Sequence, residues 1–249
     1  FLAMNPFSSR CCQHNHAQGW PYYSEHLILA TPDNGAAIAL YAACKATLKV
    51  ADGQEITLHE QTNYPFEEKI SFTVNTTEDV RFPFYLRIPS WCDQPELAIN
   101  GKQKKIDPIP GKYIYIDRTW TDGDKVELNL PMKLSIRTWQ VNKNSVSVNY
   151  GPLTLSLKIN EEYIQKDSRS TAIYDSRWQE GATATQWPSY EIFPKSLWNY
   201  ALVLDSKVPL KNFKVIRKEW PSDNFPFTVS NVPLEVKAIG KQIPSWTLD

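Results

Sequence analysis

The segment "KISFTVN", residues 69–75, alternates without a fault: Ile70, Phe72 and Val74 point one way, Ser71 and Thr73 the other. A period of two places successive side chains on opposite faces of a pleated strand. It predicts a strand with one buried and one wetter face, and it excludes a helix for this stretch. The same pattern recurs along most of the chain. Strands are predicted in "AAIALYA" and "ATLKV" (36–50), "EITLHEQT" (55–62), "VRFPFYLRIP" (80–89), "LAINGK", "KYIYIDRTW", "KVELNLP", "KLSIRTW" and "SVSVNYGPLTLSLKI" (to 159). Asn100-Gly101 is a strong hairpin signal, and "TDGD" at 121–124 marks another turn. Pro83 suggests an edge strand or a bulge. Short, regularly spaced strands separated by turns read as a β-sandwich.

Two such sandwiches are expected, over residues 31–134 and 135–249, with "LPMK" at 130–133 marking the boundary. Residues 160–200 break the rhythm with Trp178, Trp187, Trp198 and four tyrosines, an aromatic-rich insertion. Strands resume at "ALVLD", "FKVIRK" and "LEVKAI", and the last of them could return to the first sandwich.

Hydrophobic residues make up 42% of the 249, enough for a packed core. The 27 basic and 27 acidic side chains cancel, which argues against a nucleic-acid partner. No apolar run reaches the ~18 residues of a membrane-spanning helix. Cys44 and Cys92 stand in apolar or aromatic surroundings and read as thiols rather than a disulfide. The opening "FLAMNPF" resembles the interior of a domain, so the chain is expected to be a piece of a longer protein. It carries no information about export, and the compartment is left open between periplasm and cytoplasm.

One short helix is predicted at 21–30, with Pro21 in its first turn, ended by the turn "TPDNG" at 31–35. Ahead of it lies "SSRCCQHNHAQGWP", with Cys11 and Cys12 adjacent and His14 and His16 close behind. An adjacent pair can be two buried thiols, a strained vicinal disulfide, or two thiolates on one ion. Zinc takes four ligands tetrahedrally, with thiolate at ~2.3 Å. Two cysteines leave two positions to be filled, for which His14 and His16 are local candidates.

The blocks "NPFSSRCCQHN", "EQTNYPFEEKISFTV", "FYLRIPSWCDQPELAINGK", "YIYIDRTWTDGDKVELNLPM" and "NYGPLTLSL" occur in order. Together they resemble the C-terminal part of the bacterial β-L-arabinofuranosidases, glycoside hydrolase family 127 and its relatives. The resemblance runs from residue 1 to about 157 and is looser beyond 160. It implies a zinc-dependent, retaining hydrolase of arabinofuranosides or related sugars in plant-type glycans. Its active site would lie in an (α/α)6 barrel followed by two jelly-roll-like β-sandwiches. Residues 1–30 would then be the terminal piece of that barrel. Cys11 would be nucleophile and zinc ligand, and Cys12 a zinc ligand. The remaining ligands, a Glu and a third Cys, and the acid/base Glu would lie upstream, outside this chain. The expected partners are a glycan substrate and the missing barrel, and the chain alone is expected to be inactive. Gln13 and His14 replace two prolines of the commoner family form, which makes His14 a candidate substrate-binding residue beside the nucleophile.

The other polar features have plainer readings. Asp117, Asp122 and Asp124 could form a calcium loop, but Asp-Gly turn chemistry accounts for them. Arg87 and Arg118 are expected to pair with carboxylates or to stack on Trp91 and Trp120. Glu60, Glu67 and Glu68 are expected to be solvated. The rival to the hydrolase reading is a carbohydrate-binding or structural β-sandwich module with an inert cysteine pair.

Overall fold

A computed structural model describes residues 11–167, 181, 183, 185–186 and 188–247, with the side chains of 11–17 excepted. The chain divides into two compact units. One comprises 21–155 with 217–220, the other residues up to 20, 156–216 and 221 onward.

Helix α1 spans Cys11–Glu25 and contains Pro21 in its interior. The helix therefore starts ten residues earlier than the sequence pattern suggests, and it stops before Leu27. Pro21 is not a first-turn residue: the helix already runs through it and forgoes the hydrogen bond its missing N–H would have made. Residues 28–30, predicted helical, are instead strand β1, Ile28–Ala30.

In the larger unit, β1 is followed by β2 (Ala36–Ile38), β3 (Cys44–Val50), β4 (Gln54–Thr62), β5 (Lys69–Thr76) and β6 (Val80–Arg87). Then come β7 (Glu96–Ile99), β8 (Lys102–Lys104), β9 (Tyr113–Trp120) and β10 (Asp124–Asn129). They form two sheets, a four-stranded one ordered β1-β2-β6-β9 and a six-stranded one ordered β3-β4-β5-β10-β7-β8. The only parallel pair among them is β2 with β6.

The inner faces of both sheets supply one core. Ile70, Phe72 and Val74 of β5 are fully buried, as their alternation predicts. Opposite them lie Phe82, Phe84 and Leu86 of β6 and Trp120 of β9, equally buried. The Phe72 and Phe84 rings meet edge to face across the sheets at 5.6 Å, a geometry that their quadrupoles favour. The Trp120 indole donates to the Phe82 carbonyl at 3.0 Å, so its one polar atom is satisfied in the interior.

Pro83 is not on an edge. Strand β6 lies between β2 and β9, but β2 pairs it only from Phe84 onward. The proline stands one residue outside that ladder, so its missing N–H costs β2 nothing. Gly35 approaches it there: a Cβ on Gly35 would lie 2.2 Å from the Pro83 carbonyl oxygen.

The turns follow their chemistry. Asn100 and Gly101, with φ of 50° and 72°, join β7 to β8, the left-handed pair that a two-residue hairpin needs. The "TDGD" turn does not close a hairpin. It carries the chain from β9 in one sheet to β10 in the other. Asp124 is buried there, accepting from the Thr121 amide at 3.0 Å and from Asn100 at 2.6 Å, and it pairs with Arg118 at 3.1 Å. Arg118 also lies over the Trp120 ring. Asp122 accepts from Asn75 and the Thr76 amide, and Asp117 is held by Arg81. Each carboxylate is thus engaged in turn or pairing work rather than gathered around an ion.

Residues beyond 133 continue as β-structure in shorter pieces. Strands β11 (Leu134–Trp139), β12 (Ser145–Tyr150) and β13 (Leu153–Leu155) form a three-stranded sheet. In the other unit, β14 (Glu161–Lys166) pairs antiparallel with β15 (Ser189–Pro194), so strands bracket the aromatic-rich stretch. Strand β16 (Tyr200–Leu202) pairs with β19 (Gly240–Gln242), and β17 (Lys214–Arg217) with β18 (Leu234–Lys237). Trp178, Tyr174 and Trp187 lie outside the described residues. Arg217 belongs to the larger unit, bonding the Phe66 carbonyl, Glu68 and the Tyr150 hydroxyl. Trp220 meets Phe66 edge to face at 6.1 Å. Among the described residues no helix is long and apolar enough to cross a membrane.

Candidate functional site

Cys11 and Cys12 are the first two residues of α1, and His14 and His16 follow within its first two turns. The side chains of Cys11, Cys12, His14 and His16 lie outside the described residues. As a donor set the two thiols fit zinc by chemistry, soft ligands that supply half of a tetrahedron. Among the described residues no group of three His, Cys, Asp or Glu side chains is placed to hold a metal ion. Cys44 and Cys92 are free, the first half-buried and the second buried.

A group of titratable side chains in the larger unit surrounds Glu60. Strand β4 turns Ile56, Leu58 and Glu60 to the same inner face, and Glu60 is only 1% exposed. This corrects the expectation of a solvated charge. The signal was present, since a glutamate occupies the third inward position of an alternating row. Its carboxyl accepts from the Ala42 amide at 3.1 Å and from the Cys44 thiol at 3.9 Å. Burial drives its pKa up to about 8 despite these two donors, so at neutral pH it is mostly a neutral acid. Burial and the neighbouring Glu60 push the Cys44 thiol up to about 11, leaving it an inert thiol rather than a nucleophile.

Tyrosines lie close to this pair. Tyr41 is buried and donates to the Arg87 carbonyl at 2.5 Å. Its ring packs edge to face on Tyr64 at 5.8 Å. Burial and then Glu60 raise the phenols of Tyr41 and of Tyr23, the latter on α1. At pH 7 these phenols and the Cys44 thiol are neutral, and Glu60 is mostly so. The cluster holds no ionised thiolate to serve as a nucleophile. It anchors the β3–β4 end of the sandwich.

Glu68 also departs from the solvated reading. It accepts from the Met132 amide at 2.9 Å and pairs with Arg217 at 3.1 Å. Glu67 is exposed, as expected.

With this geometry in hand the relatives can be placed. Residues 35–132 match the family model described as the middle domain of GH127, beta-L-arabinofuranosidase. Over this stretch the chain is similar to that family. The match covers the two-sheet sandwich from β2 through β10 and the residues that tie its last strand to Glu68. No curated protein sequence matches the chain. Three solved structures share the fold. A GH127 beta-L-arabinofuranosidase from Geobacillus stearothermophilus T6 is 23% identical, with a TM-score of 0.55 over 76% of this chain and 34% of its own. A second, described as a glycoside hydrolase, is 22% identical with a TM-score of 0.55, over 75% of this chain and 37% of its own. A GH127 beta-arabinofuranosidase is 21% identical with a TM-score of 0.53, over 81% and 34%. The GH127-like chain therefore spans about a third of the length of these structures.

Proposed function

We propose that this chain is the C-terminal part of a zinc-dependent retaining glycoside hydrolase that uses Cys11 as its nucleophile. Its substrates are arabinofuranosides or related sugars of plant-type glycans. The observation that carries the reading is one of order: the adjacent cysteines open a helix that runs directly into a GH127-like middle domain.

In this reading Cys11 and Cys12 hold zinc together with two ligands from an upstream barrel. Zinc, when bound, would keep the Cys11 sulfur deprotonated at neutral pH. In a retaining mechanism the thiolate attacks the anomeric carbon as the glycosidic C–O bond breaks. The departing oxygen takes a proton from an acid on the barrel, and water later cleaves the C–S bond. His14 lies on the same helix, three residues after the nucleophile, and contacts the bound sugar. The 249-residue chain holds neither the acid nor the remaining zinc ligands and does not turn over by itself.

The test is made on the full-length protein. Cys11→Ser abolishes hydrolysis of an arabinofuranoside while the fold is retained, because a serine hydroxyl is not ionised at neutral pH. Near wild-type turnover in that variant would overturn the assignment.

A further inference from the structure

The outer face of the four-stranded sheet is built differently from the rest of the larger unit. Strand pairing aligns Leu29, Ala37, Tyr85 and Tyr115 in one row across β1, β2, β6 and β9. Tyr115 is 56% exposed, and Tyr113, two residues before it on the same face, is 44% exposed. The Tyr85 and Tyr115 rings adjoin at 5.1 Å between centroids, inclined at 53°. The row is one side chain wide and roughly 14 Å long, from three strand spacings.

Ionised polar groups frame these rings. Asp33, in the β1–β2 turn, accepts from the Tyr85 hydroxyl at 2.6 Å and from the Thr31 hydroxyl. These two donors hold its carboxyl below the usual range. Asp117 is bound by the Arg81 guanidinium through two bonds, at 3.2 and 2.9 Å. A carboxylate has about four acceptor positions and a guanidinium five donors. Arg81 spends two of its donors on Asp117.

We propose that this face binds a neutral glycan chain, with the Tyr85–Tyr115 pair stacking on sugar C–H faces and Asp33, Asp117 and Arg81 bonding hydroxyls. A sugar ring presents an apolar C–H face beside hydroxyls that both donate and accept, and this surface offers the complement of each. Tyrosine is suited to such a role because its ring is apolar and rigid while its tip stays wet. The ring of Tyr85 is held in place in advance by Asp33, which lowers the ordering cost of binding. The face carries Asp33 and Asp117 against Arg81 and Arg87, a balance that favours a neutral glycan over a charged one. Its residues do not include the cysteine pair, so its test does not depend on the hydrolase reading.

The experiment is affinity electrophoresis of the 249-residue chain through gels containing soluble arabinan, arabinogalactan or xylan. At least one of them retards the wild type. Tyr115→Ala weakens that retardation roughly tenfold, the loss of one ring contact, with an unchanged melting temperature. Tyr115→Phe keeps the ring and keeps binding, and Asp33→Asn weakens it. The proposal is overturned if no polysaccharide retards the wild type, or if Tyr115→Ala runs as the wild type does. Concentration-dependent dimerisation abolished by Tyr115→Ala, without retardation in any gel, would also overturn it by assigning the face to a second copy of the chain.

Discussion

The Glu60 carboxyl lies 3.9 Å from the Cys44 thiol across the β3–β4 ladder, on the inner side of the sheet, with the Ala42 amide as its other donor. A carboxyl so placed is mostly uncharged at neutral pH, and its protonation is coupled to folding. Its folded pKa, about 8, exceeds the unfolded value near 4.5. The folded state therefore holds a proton that the unfolded state releases between those values. Its contribution to stability is fully present below about pH 4.5 and is lost progressively as pH rises to about 8. The loss amounts to a few kcal/mol, at roughly 1.4 kcal/mol for each tenfold difference in proton affinity between the two states. Glu60→Gln, which cannot ionise, removes this slope. Urea denaturation at pH 5, 7 and 8.5 checks it: the variant gains on the wild type as pH rises. A pH-independent difference would show that Glu60 is not the titrating group.

Phe72 touches both Phe84 and Tyr41 and has no exposed surface. Phe72→Ala leaves a cavity between the two sheets and costs about 3–5 kcal/mol. Phe72→Leu, which keeps most of the volume, costs much less. The midpoints of chemical denaturation for the two variants give the comparison directly.

Gly35 has no room for a side chain, because Pro83 approaches it through a backbone atom that cannot move aside. Gly35→Ala forces β2 and β6 apart at the start of their parallel pairing and destabilises by roughly 1–3 kcal/mol, the usual range for overpacking. It also displaces the turn that carries Asp33. Thermal melting reports the first effect, and glycan retardation the second.

Metal content tests the proposed zinc site at the cysteine pair. The 249-residue chain purifies with little zinc, since two thiolates are a weak chelate. The full-length protein purifies with about one zinc per chain, and Cys12→Ser lowers that occupancy. Elemental analysis of both proteins is the check. Stoichiometric zinc in the 249-residue chain, lost in Cys12→Ser, would mean that His14 and His16 complete a site of their own.

Asn100-Gly101, the buried row Ile70, Phe72, Val74 and the turn at Gly123 were all legible in the sequence. Each depends on a local cause: φ above zero in a two-residue turn, or a period of two that commits one face to the core. The cysteine pair and the family blocks were legible for a similar reason, being contiguous strings. What a strand pairs with is not local. Strands β9 and β10 are joined by a short turn yet enter different sheets, and β10 inserts between β5 and β7. Alternation assigns a strand its inner face but carries no record of its neighbour. The parallel β2–β6 pair was hidden for the same reason, and with it the position of Pro83. Glu60 shows the limit most plainly. Its inward direction could be read from Ile56 and Leu58, but its burial required Tyr41, Cys44 and Tyr64 to be folded around it. A carboxyl's charge state depends on the solvent left around it, and only the assembled sandwich decides how much is left.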